Sequence, residues 1–398
     1  MSPWTAGLVV ALTVLASLVA LVWVSRHYLI WRERRNDSRL SPDYPGPPDD
    51  APFIHVFVAA KDEADNIEPC VRSMLEQDYP NFSVTVCNDR STDATGEIVE
   101  RIAAEDPRVS LLNIERLPEG WCGKNNAMQT GICSTNSEWI CMIDADCRQT
   151  STRTLSTAMQ YAADTDADLL SVLPDLDMRG FWEYAIQPVC GGVMMIWFRP
   201  DRVNDPNHPS AYANGAFMLM KRSAYEAIGR HERIKGEVNE DMHMADLVKK
   251  AGLNLRVVRS GGLYRVRMYT SLRSIVRGWA RIFFGTFGTL KRLTLSFLLM
   301  TVMGLVPYVA AILGLSMGAA GAQGASLWWA LGIAGAAGVV IQISVIFRFY
   351  RLIGARPLLA WSYPLGCLVV LLSLSIALSK LRKGAKVTWR GTSYSAAR

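Results

Sequence analysis

Trp139-Ile140-Cys141-Met142-Ile143-Asp144-Ala145-Asp146 is the stretch on which the fold turns. An apolar run of this length reads as a buried strand. Two carboxylates spaced i, i+2 at its end lie on one side of the chain. In an open α/β sheet, ligands collect at the carboxyl ends of the strands. Hard oxygen donors placed there suit Mg²⁺ or Mn²⁺, ions that share their shells with phosphate oxygens. Asp-x-Asp alone is also an ordinary solvated turn, so its meaning depends on the segments around it.

Those segments alternate. Residues 53–58 read as a strand, and 63–77 as a helix with Ile67, Val71 and Leu75 at helical spacing. A second strand at 83–87 leads into a helix at 94–104, for which Ser91 or Thr92 is the expected cap. Residues 109–114, 124–133 and 139–143 continue as strand, helix and strand. The alternation predicts an α/β fold with a mostly parallel, Rossmann-like sheet and right-handed crossovers.

The chain has 398 residues, half of them hydrophobic. The apolar excess gathers at 4–24, 295–317, 327–347 and 358–378, each long enough for the roughly 20 residues that span a bilayer core. The expected organisation is a transmembrane anchor at 1–25, a basic juxtamembrane segment and linker at 26–52 and an α/β domain at 53–268. An interfacial amphipathic segment at 269–293, two or three transmembrane helices within 294–379 and a basic tail at 380–398 follow. The first apolar segment has no basic flank before it and no small-residue cleavage site after it, so it reads as a retained anchor rather than a signal peptide. Arg26, Arg32, Arg34, Arg35 and Arg39 then place the α/β domain on the cytoplasmic side of the cell's inner membrane.

These juxtamembrane residues, with the cations of 380–386, account for most of the net charge of +6 and leave no case for a nucleic-acid partner. They also set up a conflict. Four crossings would return the tail to the outside, whereas Lys380, Arg382, Lys383 and Lys386 favour the inside. Pro364 and Gly366 interrupt the last segment, which therefore reads as either spanning or re-entrant. The eight cysteines form no Cys-x-x-Cys pair, as expected of reduced thiols, and His231-Glu232 lacks the second His of a zincin helix.

Four further stretches carry candidate chemistry. Val58-Ala59-Ala60-Lys61-Asp62-Glu63 and Asn88-Asp89 follow the first two strands. They read either as turn formers or as groups that hydrogen-bond a base and a ribose. Leu117-Pro118-Glu119-Gly120-Trp121-Cys122-Gly123-Lys124 is not a Walker loop. It is either a plain helix entry or a diphosphate cradle of backbone N–H groups with a lysine charge. Glu240 and Asp241, in the first turn of a helix reaching Lys250, either complement the helix dipole or supply a carboxylate that takes a proton from an acceptor hydroxyl.

Together, Ala60-Lys61-Asp62-Glu63, Gln77-Asp78-Tyr79-Pro80, Asn88-Asp89-Arg90-Ser91, Gly120-Trp121-Cys122-Gly123-Lys124, Asp144-Ala145-Asp146, Asn214-Gly215 and Glu240-Asp241 resemble family 2 membrane glycosyltransferases of the GT-A fold. The likeness is to the non-processive, lipid-directed members, similar to hopanoid- and carotenoid-associated and ceramide glucosyltransferases. It runs from about 53 to 284, and 387–394 is similar to their terminal Trp-Lys/Arg-Gly-Arg-x-Tyr, with Thr392 in place of Arg.

The resemblance implies that Ala59, Glu63, Asp89, Lys124 and Asp144 bind a nucleotide sugar, a UDP-hexose, and that Asp146 with Asp144 holds Mg²⁺ or Mn²⁺. It makes Asp241 the general base, and puts Glu240, Asn214, Gly215, Arg277 and Trp279 on the acceptor side. Where processive synthases carry Gln-x-x-Arg-Trp, this chain has Arg273-Ser274-Ile275-Val276-Arg277-Gly278-Trp279. That departure disfavours polymer synthesis.

The expected reaction is a single displacement with inversion: Asp241 deprotonates an acceptor hydroxyl while nucleoside diphosphate leaves. The acceptor is expected from the membrane. Residues 184–198 are apolar but broken by Pro188 and two glycines, and 272–287 mix three arginines with Trp279 and three phenylalanines, as an interfacial helix does. The rival readings are a processive polysaccharide synthase and a catalytically silent membrane scaffold.

Overall fold

The computed structural model describes residues 1–35, 39–43, 45, 47, 50–381, 386–389 and 392–395, with side chains at 33–35 and in the last two segments left out. Positions 36–38, 44, 46, 48 and 49 of the expected juxtamembrane segment and linker, and 382–385, 390, 391 and 396–398 of the basic tail, fall outside the described residues, as do the side chains of the 387–394 motif.

The central sheet contains β1 (Ile54–Ala60), β2 (Phe82–Asp89), β3 (Val109–Ile114), β4 (Trp139–Asp144), β6 (Leu169–Leu173), β8 (Phe217–Lys221) and β9 (Leu255–Arg259) in the order β3-β2-β1-β4-β8-β6-β9. β3, β2, β1 and β4 are mutually parallel, β8 runs antiparallel to both β4 and β6, and β6 pairs in parallel with β9. A smaller sheet joins β5 (Cys147–Gln149), β10 (Tyr264–Val266) and β7 (Asp175–Leu176). After β1 the chain builds outward through β2 and β3, then returns to the other side of β1 for β4. The topological switch point therefore lies between β1 and β4, where the crevice of an open α/β sheet opens.

The strands are apolar on both faces because helices cover both faces. On β4, Trp139, Cys141 and Ile143 join the core beneath α2 (Ile67–Leu75), α3 (Thr95–Glu105) and α5 (Thr154–Asp164). Ile140 and Met142 join the core beneath α4 (Gly123–Cys133), α8 (Arg222–Ala227) and α9 (Glu240–Lys250). By the period of two, Asp144 belongs to the second face, the one that carries α4 and α9. This is the local reason why Asp144 meets Lys124 and Glu240. Fully burying one such side chain contributes roughly 1.5–3 kcal/mol, so a one-residue slip of β4 would expose a whole face.

Several local expectations shift. The first helix begins at Ile67 rather than 63, because 63–66 form a turn. Neither Ser91 nor Thr92 caps α3. The Ser91 hydroxyl accepts from the Asp62 N–H (3.0 Å), the Thr92 N–H donates to Asp62 Oδ1 (2.7 Å), and Asp93 Oδ1 accepts from the Thr95 N–H (3.0 Å). The expected break at Pro188 is absent: α6 (Phe181–Trp197) is continuous through it, with Ala185, Ile186, Val189 and Cys190 buried in an apolar cluster. Packing outweighs the cost of one interior proline.

The short α7 (Pro200–Val203) and α10 (Leu272–Phe287) complete the α/β part. Among the described residues, four helices are long and apolar enough to cross a membrane: α1 (Pro3–Arg35), α11 (Leu290–Ala319), α12 (Ala325–Leu352) and the segment Pro357–Ser379, most of which is α13 (Tyr363–Ser379). Pro364 lies in the first turn of α13, where its missing N–H costs nothing, so it starts that helix instead of interrupting it. β11 (Lys386–Trp389) and β12 (Thr392–Ser395) form a hairpin.

Candidate active site

A cavity of about 970 Å³ opens at the switch point. Its wall includes Ala59, Glu63, Asp89, Lys124, Asp144, Asp146, Asn214, Gly215, Glu240, Asp241 and Trp279. Arg277, also expected from the sequence, is exposed and does not line it.

On the strand-end side, Asp89 closes β2 and is only 3% exposed. Its carboxylate accepts from Arg90 Nε (2.8 Å) and Nη2 (3.0 Å). Gly123, at the start of α4, leaves the space that Asp89 Oδ2 occupies, and a Cβ there would collide with it. Glu63 Oε2 accepts from Asn66 Nδ2 (2.7 Å), and Lys61 Nζ donates to the Arg90 carbonyl (2.9 Å). Asp62 and Arg90, which follow β1 and β2, both have positive φ (52° and 53°). Such left-handed non-glycine residues concentrate at functional sites, and here they turn the chain sharply away from the strand ends.

Lys124 links the two sides of the cavity. Its Nζ lies 2.5 Å from Asp144 Oδ1 and 2.5 Å from Glu240 Oε1. Burial opposes the ammonium charge, but Asp144 and Glu240 outweigh it and hold Lys124 well above its usual value. The N-terminus of α4 is in turn fixed to the loop ahead of α9, since Asn125 Nδ2 donates to the carbonyls of Ile234 (2.8 Å) and Glu237 (2.9 Å).

Asp241 sits in the first turn of α9. Its Oδ2 accepts from the Gly215 N–H (2.9 Å) and its Oδ1 from the Met242 N–H (2.7 Å). Gly215 is closely surrounded: a Cβ would lie 3.1–3.4 Å from Lys124 Nζ, Glu240 Oε1 and Asp241 Oδ2, which would have to shift by a few tenths of an ångström. Asn214 turns back on its own loop, accepting at Oδ1 from the Ala216 N–H (3.0 Å). Burial first, then Glu240, push the Asp241 carboxyl up to about 7, against the pull of Lys124 and the two backbone N–H groups. A carboxyl tuned near neutrality suits proton transfer. The residue ahead of the pair, Asn239, does not cap α9. Its Nδ2 crosses to α10, donating to Thr286 Oγ1 (2.8 Å), and its amide fills the space beside Gly285.

Asp146 lies in the turn after β4. Its Oδ1 is buried and has no hydrogen-bond partner among the described residues. Burial, Asp144 and Glu63 together raise its carboxyl. An orphaned buried carboxylate oxygen beside a second carboxylate is what a divalent cation relieves, so Asp146 and Asp144 fit Mg²⁺ or Mn²⁺. Among the described residues no group of three or more His, Cys, Asp or Glu stands ready to hold a metal. Such an ion would draw the rest of its shell from phosphate and water, as Mg²⁺ commonly does.

Away from the strand ends the wall becomes apolar, through Pro188, Met194 and Phe198 near α6 and Phe349, Leu352 and Ile353 near the end of α12. Within it lie buried polar atoms with no hydrogen-bond partner among the described residues: Gln187 Oε1, Trp279 Nε1 and Arg267 Nη1, the last 3.7 Å from Asp177 Oδ2. Gln187, 2% exposed, commits its amide nitrogen to the Tyr269 carbonyl (3.3 Å) and leaves its oxygen facing no donor. Sequence reading missed Gln187. Its signal was one amide inside the apolar run 184–198.

A mostly parallel sheet with helices on both faces and carboxylates at its switch point is the GT-A architecture. Residues 55–229 match the sequence profile described as Glycosyl transferase family 2. A beta-monoglucosyldiacylglycerol synthase of Nostoc sp. is 32% identical over 97 residues, covering 24% of this chain and 20% of that protein. The succinoglycan biosynthesis protein ExoO of Rhizobium meliloti is 35% identical over 98 residues, covering 25% of this chain and 26% of that protein. The chain thus spans about a quarter or less of the length of these curated relatives. Among solved structures, a mannosyltransferase of Pyrobaculum calidifontis, in complex with GDP-Man and Mn²⁺, superposes with a TM-score of 0.53 at 19% identity. The match covers 83% of this chain and 98% of that one. That likeness shows the fold.

Proposed function

We propose that this protein is a membrane-bound glycosyltransferase that moves a sugar from a nucleotide sugar, a UDP-hexose, onto a hydroxyl of a lipid acceptor with inversion. The observation that carries this reading is one cavity that joins Asp144, Asp146 and Lys124 to Asp241 and then continues to an apolar wall of α6 and the end of α12. Glu63 and Asp89, with the close of β1 at Ala59, form the end suited to a base and ribose. Asp146 and Asp144 would hold a divalent ion, which offsets charge on the diphosphate. Lys124 would exchange part of its pairing with Asp144 and Glu240 for the oxygens of the leaving diphosphate, whose growing negative charge its ammonium offsets. Asp241 takes the proton of the acceptor hydroxyl as that oxygen bonds to the anomeric carbon and the bond to the diphosphate breaks. Attack from the face opposite the leaving group inverts the anomeric centre.

The apolar wall and the four long apolar helices favour an acceptor drawn from the bilayer, and Arg26 and Arg32 favour a cytoplasmic site on the inner membrane. The Nostoc relative, a beta-monoglucosyldiacylglycerol synthase by name, supports this reading. A processive polysaccharide synthase is the second reading, favoured by the Rhizobium relative named for succinoglycan biosynthesis. The test uses the full-length protein in nanodiscs with UDP-glucose, Mn²⁺ and a bacterial lipid extract, read by UDP release and by mass spectrometry of products. The lipid-directed reading expects UDP release with a lipid bearing a single added hexose. A ladder of long products would favour the synthase, and absence of both UDP release and transfer would contradict either enzyme.

A further inference from the structure

Three of the four long apolar helices share a far end. Met1 at the start of α1 bonds Gln323 and packs on Gly324, between α11 and α12. Gly314 and Gly318 of α11 meet Gly332 and Trp329 of α12. Small residues of this kind let membrane helices approach closely. The near ends of the same helices meet the α/β domain. Arg32 of α1 pairs with Asp201 (3.1 Å), and Arg259 Nη1 donates to the Leu352 carbonyl at the end of α12 (2.9 Å). Only Gly288 and Thr289 separate the end of α10 from the start of α11.

α13 follows neither pattern. Its first turn meets Trp23 through Tyr363 (ring centroids 5.8 Å apart), and Gly366 is pressed so close to the Ala185 carbonyl of α6 that no Cβ fits. Just before it, Trp361 stacks on Phe181 at the start of α6 (6.0 Å). Its last turns join the apolar cluster that holds Ile275, Trp279 and Phe283 of α10. Beyond them, burial and then the Arg281 guanidinium depress the Lys380 ammonium. Arg281 itself lines the catalytic cavity. Both ends of α13 therefore lie against helices of the catalytic side. α13 itself extends about 25 Å, and with the turn before it the segment Pro357–Ser379 is long enough to cross, so its placement is decided by what its two ends touch.

The surface of α13 is divided lengthwise. Cys367, Val370, Leu374 and Ala377 are buried against the protein. Leu368, Leu372, Ser375 and Ser379 form an uncharged exposed stripe at helical spacing, continued by exposed Leu358 and Trp361 before it and by Phe181, Met195 and Ile196 of α6. An apolar surface this extensive needs a partner.

We propose that α6, α10 and α13 form one surface embedded in the leaflet that faces the catalytic domain. Its partner is the acyl region of that leaflet, and α13 enters and leaves on that side instead of crossing. The chain then crosses three times, and the cations from Lys380 onward share a side with the catalytic domain, as their charge favours. The inference depends on the membrane location of α1, α11 and α12 and not on the reaction, so it stands or falls apart from the proposed activity.

The test is made on the full chain in nanodiscs, with nitroxides attached at Leu368→Cys, Leu372→Cys, Ser375→Cys and Ser379→Cys and depth read by relaxation against oxygen and a nickel chelate. A crossing helix would change depth by about 1.5 Å per residue, or roughly 16 Å from the first site to the last. The proposal expects less than half of that, with all four sites in one leaflet. A steady progression through the midplane would overturn it. A topology measurement guards against perturbation by the labels. In sealed vesicles, an epitope tag after residue 398 should be accessible together with one in the 205–207 loop, and not with one at the 321–323 turn. Access shared with the 321–323 turn would overturn the proposal as well.

Discussion

The two sides of the cavity are held by different means. Ala59, Asp89 and Asp144 stand on or at the ends of β1, β2 and β4, where a continuous ladder of paired strands fixes the backbone. Asp241, Trp279 and Gln187 stand on three separate helices, and α6 and α10 also contribute to the apolar cluster beneath the membrane segments. A ladder fixes the backbone residue by residue, whereas a helix face is placed by packing alone. The strand-end side should therefore answer to changes in its own residues. The helical side should also answer to changes in the helices below it, losing turnover before it loses nucleotide binding.

The largest effect is expected from Asp146→Ala. It removes the orphaned oxygen at the strand-end side, and calorimetry with UDP and Mn²⁺ should show loss of metal-dependent binding together with loss of turnover. Normal binding in this variant would break the division between the two sides. Lys124→Met tests the link across it. In the native protein turnover should rise about tenfold per pH unit below about 7 and level off above, because the base must be unprotonated and its carboxyl is raised to about 7. Lys124 is one of the groups that hold that value down, so without it the rising limb should move to higher pH; an unmoved limb would contradict the coupling.

Asn239→Ala is expected to be milder. Losing its hydrogen bonds to Thr286 (2.8 Å) and the Ile282 carbonyl (3.4 Å), the first worth about 0.5–1.5 kcal/mol, should lower kcat about 2- to 10-fold with the UDP affinity unchanged. An equal loss of nucleotide affinity would show that the helical side is not separable. Arg277→Ala, outside the cavity, should change UDP affinity and donor hydrolysis least of all.

Much of the strand-end side is legible in sequence because its signals are local. A buried strand has an apolar run, its end has a turn, and the carboxylates of 144, 146 and 89 fall within a few residues of those marks. Asp241 is legible for the same reason, as an acid in a first helical turn. The links between elements are not. Asp62 attracts the N–H of Thr92 from 30 residues away, so the expected caps of α3 are spent elsewhere. Asn239, just ahead of α9, makes no side-chain cap and bonds α10, 47 residues on. Pro188, Gly191 and Gly192 suggest a break that burial of their neighbours overrides. Gln187 carries no periodic signal at all, because its importance rests on what is missing around its oxygen. Local chemistry can be read along the chain, whereas partnership across the fold requires the fold.

The account rests most heavily on Asp241 as the base of a site whose donor half is independent of it. The direct measurement is UDP binding and sugar transfer in Asp241→Asn, side by side with the native protein, using UDP-glucose, Mn²⁺ and the lipid extract. The account predicts unchanged UDP affinity with transfer reduced about 10²- to 10⁴-fold. Transfer at the native rate would contradict it.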